Sequence, residues 1–512
     1  MSRISARWLL LIFPSLLAVP VCAQQPPPAR MEETSARSAS APAPAIAPMP
    51  HKVLFGTLPV ATRSDDARKL LETAIDQYEN VLLDQATSTA RRATAKDPHF
   101  ALAFALWSYA ASHTQPNPQA LQRAKALASS ATPDERLLIN WMVDVEQGDL
   151  LPAIGAMNDL LARFPNDKHI LYLTAEWLYF QQDYDRAREM LSKVTQIDPN
   201  FPPALNMLGY AYVETGIPDP QKAIACLKRY AAVQPNQPNP QDSLGEVSRL
   251  VGDDEGSLEH FTAALRIITN FFSSQVGLGD TYTLMGNYPR ARAEYDKAHQ
   301  IATNPRDRFH ADFQKALVYF WEASPEQGRK ALDALLIEAR SQKEPYAQFE
   351  VGFGSAALSA NLASEILKLR DLEALFQNPV PGMGEADRAQ SLSTILREEV
   401  RAASLSGVAD VQQASIAKLE RAAALSRNLI IEDSYDSARG YFLLAQGDAA
   451  NAADELAGDP HSPLAIQALA VAADKTGDSP TADMARTRLK VFRAPTVEWY
   501  LVTHPSSATV AH

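Results

Sequence analysis

A short phrase recurs along this chain: glycine, then Asp or Asn, then three residues, then a small residue. It reads Gly148-Asp149 with Ala153, Gly252-Asp253 with Ser257, Gly286-Asn287 with Ala291, Gly447-Asp448 with Ala452, and Gly477-Asp478 with Ala482. Gly252 and Gly286 lie 34 positions apart, and Gly148 lies 104 before Gly252, close to three such steps. A fixed period of this length marks a stacked array of helical hairpins, in which each unit buries its apolar face only against its neighbours. The phrase has a mechanism. Glycine closes one helix in the left-handed conformation, Asp or Asn caps the next, and the small residue lets the two helices approach. The constraint on architecture is strong, and it points to a surface that holds a partner.

From Asp65 to about Phe492 amphipathic helices follow one another in pairs. Over 167–181, Leu171, Ala175 and Leu178 recur at helical spacing, and the partner segment carries Ala187, Leu191 and Val194. That pair stops at Asp198-Pro199, because proline lacks the N–H and crowds the preceding turn. Lys96-Asp97-Pro98 and Arg163-Phe164-Pro165 repeat the stop. About a dozen pairs are expected, with no run of clear strand alternation. The expected fold is all-α, an α-solenoid of stacked helical hairpins.

Some residues go further than the period. Leu205, Leu208-Gly209, Tyr212, Ala223 and Pro235, with two extra residues around Pro218-Asp219-Pro220, resemble the tetratricopeptide-repeat pattern. Leu278-Gly279, Tyr282, Gly286, Ala291, Tyr295 and Ala298 resemble it without the insertion. Leu244-Gly245, Ser257, Phe261 and Ala264 do so more loosely, and Leu58 to His99 looks like the opening repeat of secreted bacterial proteins of that kind. The resemblance implies a right-handed superhelix whose first helices line a concave groove. It also implies a scaffold that binds a protein or peptide, while the family spans many partners. It runs from about Asp65 to Ala302, weakens from Phe309 to Asn428, and returns shortened at Gly447 and Gly477.

The N-terminus reads as an export signal: Arg3 and Arg7, an apolar run from Trp8 to Val21, then Val21-Cys22-Ala23 before a cut at Gln24. The run is short and carries Pro14 and Pro20, which disfavours a membrane span. Val19-Pro20-Val21 before Cys22 disfavours lipid attachment there. A periplasmic or secreted location follows. Residues 24–64 read as a disordered spacer rich in Pro, Ala and Ser, with the more apolar His51 to Val60 expected to lie on the first helices. Residues 65–308 read as the regular array, 309–428 as divergent helical repeats, 429–493 as degenerate C-terminal hairpins, and 494–512 as a tail.

Composition excludes some functions. Apolar residues make up 46% of the 512, enough to bury a core. A formal charge of −12 disfavours a general nucleic-acid binder, which needs a basic face to displace counterions. Once the signal is removed Cys226 is the only cysteine, so no internal disulfide is available, and its neighbours Ala225 and Leu227 mark it as a small hydrophobe. The ten histidines are dispersed, with no His pair flanking a Glu at metal-binding spacing and no serine nucleophile elbow. Gly352-Phe353-Gly354-Ser355 echoes a dinucleotide loop without a strand before it. No catalytic residue, metal or cofactor is expected; an enzyme would need a domain hidden in 309–428.

The site expected is the inward face of four first helices. Besides their packing positions they carry a second stripe at i, i+4, i+7: Tyr172, Glu176, Tyr179; Asn206, Tyr210, Val213; Asp242, Glu246, Arg249; and Val276, Asp280, Thr283. Positions 172, 206, 242 and 276 are 34, 36 and 34 apart, so stacking aligns the stripes into one acidic and aromatic surface. Such a surface suits an extended protein or peptide segment with basic, apolar or proline-rich residues. The alternative occupant is a carbohydrate or cell-wall glycan, whose rings stack on tyrosine and whose hydroxyls donate to carboxylates. The family's Lys and Asn clamp for a terminal carboxylate is not matched, since only Asn206 and Arg249 fit it. Self-association through the outer faces is a further expectation.

Overall fold

The computed structural model describes residues 52–54, 58–112, 117–215, 217–426 and 428–505. The export signal expected over 1–23, with Cys22, lies outside the described residues, as do 24–51 of the expected spacer and 506–512 of the expected tail. Among the described residues 25 α-helices follow one another. They pair in chain order from Asp65–Glu79 with Leu83–Lys96 to Pro463–Thr476 with Ser479–Leu489, and Val497–Thr503 closes the series. The chain is an all-α solenoid of helical hairpins, and the pairing continues through 309–428 with longer helices such as Glu385–Ser406.

The turn phrase does what its chemistry predicts. Gly148, Gly252, Gly286, Gly447 and Gly477 all hold positive φ, between 74° and 90°. At each the following N–H reaches back to a carbonyl five residues earlier, as Asp253 N to Ser248 O at 2.8 Å, which satisfies an orphan carbonyl of the helix end. Asp253, Asp448 and Asp478 then accept a backbone N–H three residues on, whereas Asp149 and Asn287 make no such side-chain bond. The small residues Ala153, Ser257, Ala291, Ala452 and Ala482 are fully buried.

The two helices of a hairpin are buried to different degrees. In Lys168–Phe180 nine residues on every side are buried, while its partner Tyr184–Ile197 buries only Tyr184, Ala187, Leu191 and Val194. Phe272–Leu284 and Tyr288–Ile301 repeat the contrast. The second helices are amphipathic and form the outer layer. The first helices are covered on their concave side as well, because the solenoid winds back on itself.

Contacts distant in sequence make that closure. Tyr78 donates to Glu176 at 2.8 Å, and Gln234 donates to Asn80 at 3.3 Å, which joins the first hairpin to the fourth and fifth. Arg488, buried, donates to the carbonyls of Val213 (2.7 Å) and Glu214 (2.8 Å), so the last hairpin sits on the end of Pro202–Glu214. Arg493 pairs with Asp254 at 2.9 Å, and the rings of Tyr184 and His461 meet at 5.1 Å.

At both ends of the described chain, short segments pack on the array. Within the expected disordered spacer, Lys52–Leu54 and Leu58–Val60 form an antiparallel two-stranded hairpin. Leu58 and Val60 bury against the first helices, and Ala61 N donates to Glu135 at 3.2 Å. Within the expected tail, Val497–Thr503 is helical and buries Val497 and Glu498. Glu498 pairs with buried Arg397 and accepts from Ser462 at 2.8 Å. Both segments are too short to show a period, and their order comes from tertiary contacts.

Candidate functional site

The inner helices enclose a cavity of about 430 Å³ at the centre of the winding, within the range of pockets that hold a small ligand or a side chain. Its early wall is built from the last turns of the first four inner helices, at Tyr78 and Glu79, Tyr109, Glu146, and Glu176, Trp177 and Tyr179 to Gln181. Asn206, Met207, Tyr210 and Tyr230 continue that wall. The late wall comes from the first turns of later helices, with Arg306, His310, Tyr346, Glu350 and Asp387.

Most lining polar groups are fixed by a partner. Tyr78 donates to Glu176, and its ring lies 5.6 Å from that of Tyr109. Glu79 contacts His169 Nδ1 at 2.7 Å, Glu146 accepts from Ser108 at 2.9 Å, and Tyr210 donates to Glu246 at 2.7 Å. On the late wall His310 Nδ1 meets Glu350 at 2.7 Å, Tyr346 donates to Asp387 at 2.6 Å, and the Arg306 guanidinium lies 4.3 Å above the Tyr346 ring. Burial pushes Glu176 up to about 8, against the hydrogen bond from Tyr78. Burial also raises Glu146, with Ser108 opposing. Burial opposes the charge on His310, yet Glu350 and the more distant Asp280 and Asp307 raise it overall.

All nine expected site residues are at most 8% exposed. Tyr172, Glu176, Tyr179, Asn206 and Tyr210 line the cavity. Asp242, Glu246, Arg249 and Asp280 lie further along the stack, outside the lining, in a buried polar chain. There Ser243 donates to Asn206 at 2.7 Å, Ser274 donates to Asp242, Arg249 pairs with Asp280 and, at 3.9 Å, with Glu246, and Tyr295 donates to Asp280 at 2.7 Å. Burial pushes Asp242 up to about 8 even with the Ser274 bond. The stripes do lie side by side, as their spacing requires. Where an open groove face was expected, the structure has one cavity wall and its buried continuation, because the later hairpins cover it.

Sequence reasoning missed Tyr78, Tyr109 and Glu146, and the whole late wall. Ala101–Ala111 is apolar on all sides, which marks it as an inner helix and was the available signal for Tyr109. The late wall left none, since its residues reach the cavity only through the winding. Cys226 is half-buried and its thiol is raised by burial.

Residues 178–245 match the tetratricopeptide-repeat family model. That segment includes Tyr179, Asn206 and Tyr210 of the early wall and two complete hairpin turns. No protein of curated function matches the chain. The chain is similar to solved structures of this repeat class at low identity. Yeast Tom70 is 13% identical over 82% of this chain and 96% of that one, with a TM-score of 0.42. A tetratricopeptide repeat protein from Parabacteroides merdae is 15% identical over 53% and 93%, at 0.34. YrrB, a repeat protein with an unusual peptide-binding site, is 15% identical over 38% and 96%, at 0.26. With TM-scores below 0.5, none of these bears on what this chain binds.

Proposed function

We propose that this chain is an exported adaptor or scaffold that holds a segment of a protein or peptide partner in its central cavity, without catalysis. The observation that carries this reading is the early wall. Six tyrosines and Trp177 stand on that wall of the cavity, with Tyr78 and Tyr210 held by hydrogen bonds to the carboxyl groups of Glu176 and Glu246. A wall fixed in this way loses little ordering entropy on binding. Aromatic side chains are also the residues whose removal costs an interface most, roughly 2 kcal/mol or more at a hot spot. Export rests on the N-terminal run from Arg3 to Ala23 and is tested by fractionating cells that express the full chain.

The test places a photoreactive residue at Met207 or Phe180, which line the cavity and are partly exposed. Controls carry it at Leu151 or Ile337, which are 68% and 71% exposed on the outer layer. The reading expects one partner captured in the cell from both cavity positions and from neither outer position. Capture of the same proteins from all four positions would reject the cavity. Substituting Tyr172, Tyr210 and Glu246 together would be a poor test, since all three are buried and their loss attacks the fold first.

A further inference from the structure

The cavity carries an imbalance that its own residues do not correct. On the late wall His310 meets Glu350, Glu385 pairs with Arg388, and Asp387 accepts from Tyr346, over whose ring the Arg306 guanidinium lies. Glu79 on the early wall meets His169. Glu146 and Glu176 differ. Each accepts only from a neutral hydroxyl, of Ser108 and Tyr78, and among the described residues no cationic side chain pairs with either. Both act electrostatically on Tyr109, so they stand around the same ring. One oxygen of Glu146 is fully buried without any hydrogen-bond partner.

Burying a carboxylate without a cation is costly, so burial holds Glu176 toward its neutral acid and raises half-buried Glu146, and the wall carries no counter-charge for their ionised forms. The last turns of four inner helices end on this wall, and helix C-termini carry partial negative charge that favours cations. Tyrosine and tryptophan faces attract cations as well. On residues of the same wall, Trp177 Nε1 and the Gln181 side-chain oxygen are buried from solvent without a partner.

We propose that the cavity takes one basic side chain, the guanidinium of arginine or the ammonium of lysine, from an extended segment of the partner, seated between Glu146 and Glu176 against the tyrosine rings. The proposal rests on the reading of the cavity as the partner site. A seated cation ionises Glu176, which faces Tyr78, Tyr109, Tyr172, Glu79 and, across Tyr109, Glu146, so binding at pH 7 releases a proton.

The test uses the full chain and four capped peptides in titration calorimetry: Ala-Ala-Arg-Ala-Ala, the same with Gln or with Glu at the centre, and a neutral proline-rich pentapeptide. Capped arginine amide alone is the fifth ligand. The arginine peptide should bind at least about tenfold tighter than the others. Glu176→Gln and Glu146→Gln should each weaken it about tenfold. The heat should depend on the ionisation enthalpy of the buffer in the wild type and not in Glu176→Gln. If either variant fails to fold, the wild-type peptide series decides alone. A neutral or acidic peptide binding as well as the basic one overturns the cation and leaves the cavity reading standing. Capped arginine binding as tightly as its peptide overturns the peptide source. If no ligand binds, the basic-side-chain proposal fails, and the crosslinking described above then decides the cavity reading separately.

Discussion

Gly447 holds φ at +83°, and nothing lies within 4 Å of where a Cβ would sit. An alanine there is therefore opposed by the backbone alone. Gly447→Ala should lower stability by about 1 kcal/mol, seen as a lower denaturant midpoint at an unchanged slope. Lys343 poses the reverse case: it is exposed, ends Pro325–Gln342 and holds φ at 57°. Lys343→Gly should raise stability by roughly 1 kcal/mol, and a lowered midpoint would contradict this. These two positions also mark what the residues disclosed. The phrase located five turns because glycine is the residue a left-handed position favours. Val81, Gln182 and Ala323 take the same conformation without glycine, so the turns they make left no mark.

Elements were legible where a hairpin repeats its neighbour and illegible where it ends the series. The helices of 309–428 lengthen, to 18 residues in Pro325–Gln342 and 22 in Glu385–Ser406, and the 34-residue period dissolves although the pairing persists. The strand pair before Asp65 and the helix Val497–Thr503 gave no period at all. The least legible element contact is that of Ser479–Leu489. Its Arg488 donates to carbonyls of Pro202–Glu214 some 275 residues away and stands 3.7 Å from the Glu214 carboxylate. Arg488→Ala removes both donors and leaves buried carbonyls and a carboxylate behind, at a cost of about 3 kcal/mol or more. Hydrogen exchange should show protection lost first over 463–489, with the hairpins from Asp65 to Arg163 unchanged. Uniform loss along the chain would contradict a latch.

At the scale of the molecule, closure decides both the site and the response to pH. The stripe from Tyr172 to Asp280 was readable as an aligned surface and misread as an open one, because nothing local says that later hairpins will cover it. Its small hydroxyl neighbours Ser243 and Ser274, each donating to a stripe residue, were the trace of burial in the sequence. Covering it pushes Glu176 and Asp242 up to about 8 and Glu214 to about 7, chiefly by burial. Unfolded carboxylates titrate near 4. Between about pH 4 and 8 the folded chain therefore binds more protons than the unfolded one, and stability falls as pH rises through this window. Carboxylates held low, such as Asp198 beside Lys168 and Glu385 beside Arg388, act in the opposite sense only at more acid pH. The Tm should be higher at pH 5 than at pH 8.5, and Asp242→Asn should shrink the difference. A Tm that rises with pH would contradict the account of the buried stripe.

The measurement that bears most directly on the central claim is the affinity of the partner recovered by cavity crosslinking, for the wild-type chain and for Met207→Trp. Met207 is a partly exposed residue of the cavity lining, so the larger ring fills space that a partner needs. The account predicts a loss of at least about tenfold, which is about 1.4 kcal/mol, with Tm unchanged. An unchanged affinity in a folded Met207→Trp chain would contradict it and move recognition to the outer layer.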